Sequence, residues 1–180
     1  HEVLTRLNQN SLLSPRVKVV NADAFLWLEE NREFFDFAVV DFPDPSNYSL
    51  GKLYTTAFYR LLHRSLSEQG MAVIQATSPL FARKSYWCVV KTLESVGFHV
   101  TPYHAYVPSF GEWGFVIASK PPYRRPSQFL PDLRFLTADL APSLFHFPKD
   151  MSRVETEVNR LNNQVLVQYY EAEWHRITDG

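Results

Sequence analysis

Cysteine is nearly absent from this 180-residue chain: Cys88 stands alone. One thiol excludes an internal disulfide and any multi-cysteine metal centre, and it agrees with a reducing compartment. Within "SYWCVVKTLESVGF", Cys88 reads as a small buried helix residue. Glycine is scarce as well, with six residues at 51, 70, 97, 111, 114 and 180, none of which forms a G-x-G. A nucleotide-binding α/β domain ordinarily opens on a strand followed by a glycine-rich turn, because only glycine lets backbone amides come so close to a ligand. That turn has no counterpart here, and the chain opens on a polar, helix-like segment. It therefore reads as the later part of such a sheet, with the first strands missing. No apolar run approaches the ~18 residues of a membrane-spanning helix, and "HEVLTRLNQNSL" lacks a signal-peptide core, so the chain itself is expected to be soluble. A net charge of -1 provides no basic field for nucleic acid. The six histidines show neither H-x-x-H nor H-E-x-x-H spacing, so no metal site is expected.

What the chain does have is a core. It is 46% hydrophobic and 15% aromatic, enough for one domain of ordinary size with an appended segment. Between residues 16 and 120, short β-rich runs alternate with amphipathic helical segments. "VKVVNAD" reads as a strand, "AFLWLEENRE" as a helix, "FAVVDFP" as a strand, and "YTTAFYRLLHRSLSEQG" as a helix stopped by Gly70. "MAVIQAT" reads as a strand, "SYWCVVKTLESVGF" as a helix, and "HVTPYHAYV" and "EWGFVIASK" as neighbouring strands joined by "PSFG". This βαβαβαββ order predicts an α/β fold: a mostly parallel, Rossmann-like sheet with an antiparallel final strand pair. Beyond Lys120 the prolines and aromatics fall irregularly until "MSRVETEVNRLNNQVLVQYYEAEWHRI", which predicts a helix or two. Residues 1–120 are thus read as the sheet domain and 121–180 as a C-terminal extension packed on it.

The stretch "FDFAVVDFPDPSN" brings an apolar strand to the surface and ends it on Asp41 and Asp44, interleaved with Pro43 and Pro45. Open α/β proteins place ligands at such strand ends, and the prolines restrict the backbone between the two carboxylates. Asp-Pro pairs also simply make turns. Asp23 in "NADAF" can serve as the cap of the helix that follows. Phe110, Trp113 and Phe115 suit a cationic aliphatic chain, though alternating aromatics also fill cores.

Together, "NADAFLWL", "FDFAVVDFPDP", "LYTTAFYRLLHRSLSEQGMAVIQATSP" and "YVPSFGEWGFVIASK" resemble, in order and spacing, the later part of the catalytic domain of spermidine synthases, the polyamine aminopropyltransferases. "DPSNYSLGKLYTTAFY", "PSFGEWGF" and "VNRLNNQVLVQYY" resemble the long bacterial form, whose catalytic domain follows a membrane-spanning region. The resemblance implies a class I methyltransferase-like fold and transfer of an aminopropyl group from decarboxylated S-adenosylmethionine, a co-substrate rather than a tightly bound cofactor, to putrescine. Spermidine and 5'-methylthioadenosine would be the products. It implies Asp41 as proton acceptor and Asp44, Gln75 and Phe110 as amine contacts, with a tyrosine common in the family where Phe110 stands; of the three aromatics, Trp113 is taken as the further amine contact. Asp23 and Ala24 would meet the nucleoside. A cytoplasmic domain, on a parent in the bacterial inner membrane, is implied too. The incomplete sheet predicts that this chain alone is inactive and self-associates as a homodimer. Two other readings stay open: a ligand-binding or assembly domain without activity, and a methyltransferase, which would have no use for the D-x-x-D pair.

Overall fold

The computed structural model describes residues 2–178. Six helices, α1 (Glu2–Leu7), α2 (Ala24–Glu30), α3 (Tyr48–Gly51), α4 (Thr56–Ser65), α5 (Arg83–Glu94) and α6 (Val165–Thr178), accompany four strands, β1 (Phe35–Val40), β2 (Leu66–Gln75), β3 (His99–Val107) and β4 (Gly111–Ser119). The sheet order is β1-β2-β4-β3. β1 and β2 pair in parallel, whereas β4 lies antiparallel to both β2 and β3. Three strands therefore run one way and β4 alone runs back. The hairpin is expected from sequence, and its closing strand slides in beside β2.

Helices α4 and α5 pack on the sheet, and α6 packs on α5. The α4 sequence buries Phe58, Tyr59 and Leu62 and puts Arg60 and Arg64 outside the core, the apolar stripe of an amphipathic helix. In α5 nearly every side chain from Ser85 to Leu93 is buried, because the helix is covered by sheet on one side and by the C-terminal segment on the other. Cys88 is fully buried there, and burial pushes its thiol up to about 12, so it is a packing residue. The C-terminal segment belongs to the same core through Val165 and Leu166. Asn159, also fully buried, donates through Nδ2 to the Tyr54 carbonyl (3.1 Å) and accepts from the Leu166 amide (3.3 Å). Glu173 of α6 accepts from the Lys84 and Ser85 amides at 2.6 and 3.0 Å. It thereby caps α5, whose own N-cap, Ala82, has no side-chain oxygen to offer.

Two sequence expectations need correction. Residues 17–23 form no paired strand: Val17, Val19 and Val20 are exposed, and a β-rich run without a ladder partner gains neither hydrogen bonds nor burial. The helix expected over 54–70 stops at Ser65. Leu66, fully buried, is already extended and aligned with Phe35 of β1, and the register then skips to Phe37 opposite Met71. Gly70 lies inside this irregular start of β2 and stops no helix.

Candidate active site

Val40 is aligned with Ile74 in the parallel pair, so Asp41 and Gln75 leave the sheet side by side. β4 runs the other way, and its first residues, Gly111 to Trp113, return to that same edge. The β3–β4 turn places Phe110 there too: its amide donates to the Val107 carbonyl (2.9 Å), and Gly111 follows at φ 76°, a left-handed position natural to glycine. A cavity of about 480 Å³ results, lined by Asp41, Asp44, Gln75, Phe110 and Trp113 among others. Five residues singled out in the sequence thus converge on one hollow at the carboxyl ends of parallel strands.

The two carboxylates differ in setting. Asp41 is exposed at the rim, whereas Asp44 is half-buried. Asp44 Oδ2 accepts from the Tyr170 hydroxyl (3.0 Å) and from Thr77 Oγ1 (3.4 Å). Among the described residues its partners are neutral donors, and none of the ion pairs includes it. Burial pushes its pKa up, and the hydrogen bonds from Gln75, Tyr170 and Thr77 pull against that rise. Gln75 can sit two ways. In one, Nε2 donates to Asp44 Oδ1 (3.3 Å); with the amide turned over, its nitrogen donates to the Phe42 carbonyl (3.2 Å) and its oxygen accepts from Trp113 Nε1 (2.8 Å). In the second orientation the amide links the D-x-x-D segment to Trp113 of the aromatic wall.

The scaffold beneath is rigid. The Tyr54 hydroxyl donates to the Phe42 and Pro43 carbonyls at 3.2 and 3.0 Å, holding the loop between the carboxylates from below. Burial above all, reinforced by the charges of Asp44 and Asp41, keeps that phenol protonated. Thr77 has φ 64°, a conformation that costs a β-branched residue on the order of 1–3 kcal/mol and is held here by the surrounding structure, its carbonyl accepting from the Gly114 amide at 2.8 Å.

Asp23 and Ala24 lie apart from this cavity. Asp23 caps α2 through the Phe25 and Leu26 amides (2.9 and 3.3 Å) and pairs with Lys52 at 2.7 Å. The Lys52 hydrogen bond, followed by that from Leu26, holds its carboxyl below the usual range. Ala24 lines a different, apolar hollow with Trp27, Phe37 and Val39. Three contributors escaped sequence reading: Tyr170, Thr77 and Tyr54. A fold-level cue existed for Thr77, which follows the carboxyl end of β2 by two residues. None existed for Tyr170, which lies 126 residues from Asp44 in a run that reads as an ordinary packing helix.

No group of three or more metal-ligating side chains occurs among the described residues, and none of the helices among them is long and apolar enough to cross a membrane. Residues 2–127 match the family described as the spermine/spermidine synthase domain. The chain is 55% identical, over 99% of its length, to a polyamine aminopropyltransferase of Leptospira interrogans and 53% identical, over 98%, to polyamine aminopropyltransferase 2 of Ralstonia nicotianae. It spans 36% and 35% of those proteins, about a third of the length of the curated relatives it matches. A spermidine synthase crystallised with the transition-state analogue AdoDATO superimposes with a TM-score of 0.71 at 21% identity, over 83% of this chain and 55% of the other. The spermidine synthase of Thermotoga maritima gives 0.68 at 20% identity, over 82% of this chain and 54% of the other, and both establish the shared methyltransferase-like fold. By sequence match and by fold, the chain belongs to the spermine/spermidine synthase family.

Proposed function

We propose that the full-length protein transfers the aminopropyl group of decarboxylated S-adenosylmethionine to putrescine, releasing spermidine and 5'-methylthioadenosine. The convergence of an exposed and a half-buried carboxylate on one aromatic-walled cavity carries this reading. An alkylammonium has a pKa of about 10 and at neutral pH has no lone pair to donate. Asp41, at the rim, takes its proton. The freed nitrogen attacks the carbon bonded to the sulfonium, the C–S bond breaks, and its electron pair stays on sulfur as the neutral thioether. Asp44, held by its donors, binds and orients the amine together with Gln75, Phe110 and Trp113. In this reading Asp23 and Ala24 approach the nucleoside, the co-substrate being decarboxylated S-adenosylmethionine with no tightly bound cofactor. Residues 1–120 act as the later part of the catalytic domain and 121–180 as its extension. The domain is placed on the cytoplasmic side, on a parent held in the bacterial inner membrane. Phe37 and Val39 of β1, 56% and 68% exposed, offer the surface for the homodimer we propose for the chain as it stands. Incubation of the full-length protein with decarboxylated S-adenosylmethionine and putrescine should yield spermidine and 5'-methylthioadenosine in equal amounts. Failure to form them, or methylation of an acceptor by S-adenosylmethionine, would refute the reading.

Asp44→Asn in that protein is expected to raise the putrescine KM by about tenfold or more, since the charge partner of the bound dication is lost. The same change should stabilise the unliganded fold at neutral pH, an instance of stability held back at a working site. The sign follows from burial: a carboxyl whose folded pKa is raised binds its proton more tightly folded than unfolded. Stability therefore falls as pH climbs from the unfolded value through the raised one, and stays lower above it. Thermal melting should show the variant ahead at neutral pH and level with the parent in acid. An unchanged KM would take Asp44 out of the site.

A further inference from the structure

The family match ends at residue 127, yet one group on the Asp44 carboxylate comes from beyond it. Tyr170 of α6 donates its hydroxyl to Asp44 Oδ2 at 3.0 Å, and Thr77 Oγ1 reaches the same oxygen at 3.4 Å. A carboxylate oxygen offers two lone pairs, so these two hydroxyls fill Oδ2. Among the described residues Oδ1 meets only the Gln75 amide, at 3.3 Å, and it loses that partner when the amide turns to Phe42 and Trp113. The Tyr170 phenol acts here as a donor alone, since burial first and the Asp44 charge second keep it protonated. Its place is set from both sides. Leu166, Tyr170 and Glu173 follow at i, i+4 and i+7, on one face of α6. Leu166 is fully buried in the core, and Glu173 accepts from the Ser85 amide and hydroxyl at 3.0 and 2.7 Å. The Tyr170 ring also packs against Trp174, with centroids 5.7 Å apart, and the two wall a hollow beside Asp44.

We propose that Tyr170 is a positioning residue for the acceptor amine: by occupying Oδ2 it fixes the Asp44 carboxylate with Oδ1 free for the incoming ammonium. This rests on the aminopropyl-transfer reading for its chemistry, but the binding claim stands by itself. A hydrogen bond donated to an ionised carboxylate also stabilises its charge, against the burial that pushes the Asp44 pKa up. The other titratable groups around Asp44 supply no cation for that purpose. Asp41 shares its cavity, Tyr54 lies beneath the loop as a neutral phenol, Glu112 of β4 is turned to His104 (2.8 Å), and Glu173 is turned to α5. Two neutral hydroxyls thus steady the carboxylate as a salt bridge would, and they leave the place of its cationic partner to the amine.

The test compares the full-length protein with its Tyr170→Phe, Asp44→Asn and doubly substituted variants, measuring the putrescine Kd by calorimetry and kcat and KM over a pH series. Phenylalanine keeps the ring against Trp174 and loses only the hydroxyl. In Tyr170→Phe the putrescine Kd and KM should rise about 3- to 30-fold while kcat changes by about twofold at most. The acid limb of kcat/KM should move to higher pH, because Asp44 of the free enzyme then takes up its proton sooner on acidification, whereas the acid limb of kcat, which reports the occupied site, should stay. On the Asp44→Asn background the same loss of hydroxyl should cost about twofold at most, since the charge it serves is gone. A parental KM and acid limb in Tyr170→Phe, or a loss repeated in full on Asp44→Asn, would overturn the proposal and make Tyr170 a packing residue. If putrescine binds in a Tyr170-dependent way but no spermidine forms, the transfer reading fails and the positioning of the amine stands.

Discussion

Asp41→Asn in the full-length protein is expected to lower turnover at saturating putrescine by about 100- to 10,000-fold, the range typical of a lost general base. Asparagine matches the carboxylate in size and can accept a hydrogen bond but cannot take the proton. The amine would remain an ammonium, without the electron pair that forms the new C–N bond. Binding of 5'-methylthioadenosine should be nearly unchanged, since Asp41 lies just past the end of β1 in the cavity it shares with Asp44, whereas Asp23 and Ala24 belong to the start of α2. Rates measured over a pH series, with nucleoside affinity taken in parallel, separate the two effects. Near-parental turnover at neutral pH would show that another group removes the proton, and a matching loss of nucleoside affinity would show that the substitution disturbs the loop.

The largest expected effect on stability comes from Gly114→Ala. A Cβ at this position would stand 2.7 Å from the Thr77 carbonyl oxygen, with the Tyr86 ring nearer still. Neither neighbour is free to move. The Gly114 amide donates to that carbonyl at 2.8 Å, and the Gly114 carbonyl accepts from Ala76 at 3.0 Å. Tyr86 is fully buried, and its hydroxyl donates to the Phe115 carbonyl (3.0 Å). Overpacking of this kind costs about 1–3 kcal/mol, and for a chain of this size each kcal/mol lowers Tm by about 2–4 °C. A Tm depressed by several degrees is therefore expected. Because Thr77 also reaches Asp44, any surviving fold should bind amine more weakly. A variant with parental Tm and KM would mean that the close approach relaxes without cost.

Sequence patterning locates β1, β3 and β4 well because each is an apolar or β-branched run bounded by turn residues, and the Gly111 turn fixes the hairpin. It fails at residues 17–23, where Val17, Val19 and Val20 have strand propensity but no ladder. Propensity is local, and pairing is not. It fails at Leu66 for the converse reason: a helical pattern gives way because the adjoining β1 offers backbone partners and a buried place for the side chain. The site divides along the same line. Asp41 and Asp44 follow from a strand end, and Gln75 from the family resemblance at the end of the next strand. The Tyr170 contact depends on how α6 settles against α5, and there Glu173, Asn159 and Leu166 act together through bonds that no short window of sequence contains.

The dependence of Asp44 on Tyr170 also sets an order of events during synthesis. Domains begin to organise as the chain emerges from the ribosome, and both strand ends carrying the D-x-x-D pair and Gln75 emerge well before α6. A nascent sheet at that stage has its carboxylates but no phenol on Asp44, and the wall that Tyr170 and Trp174 give to the hollow beside Asp44 is still to come. Docking of α6 supplies that hydrogen bond, the wall and the cap on α5 in a single step. In the proposed reading the amine site is therefore completed late, in the step that commits the C-terminal segment to the core.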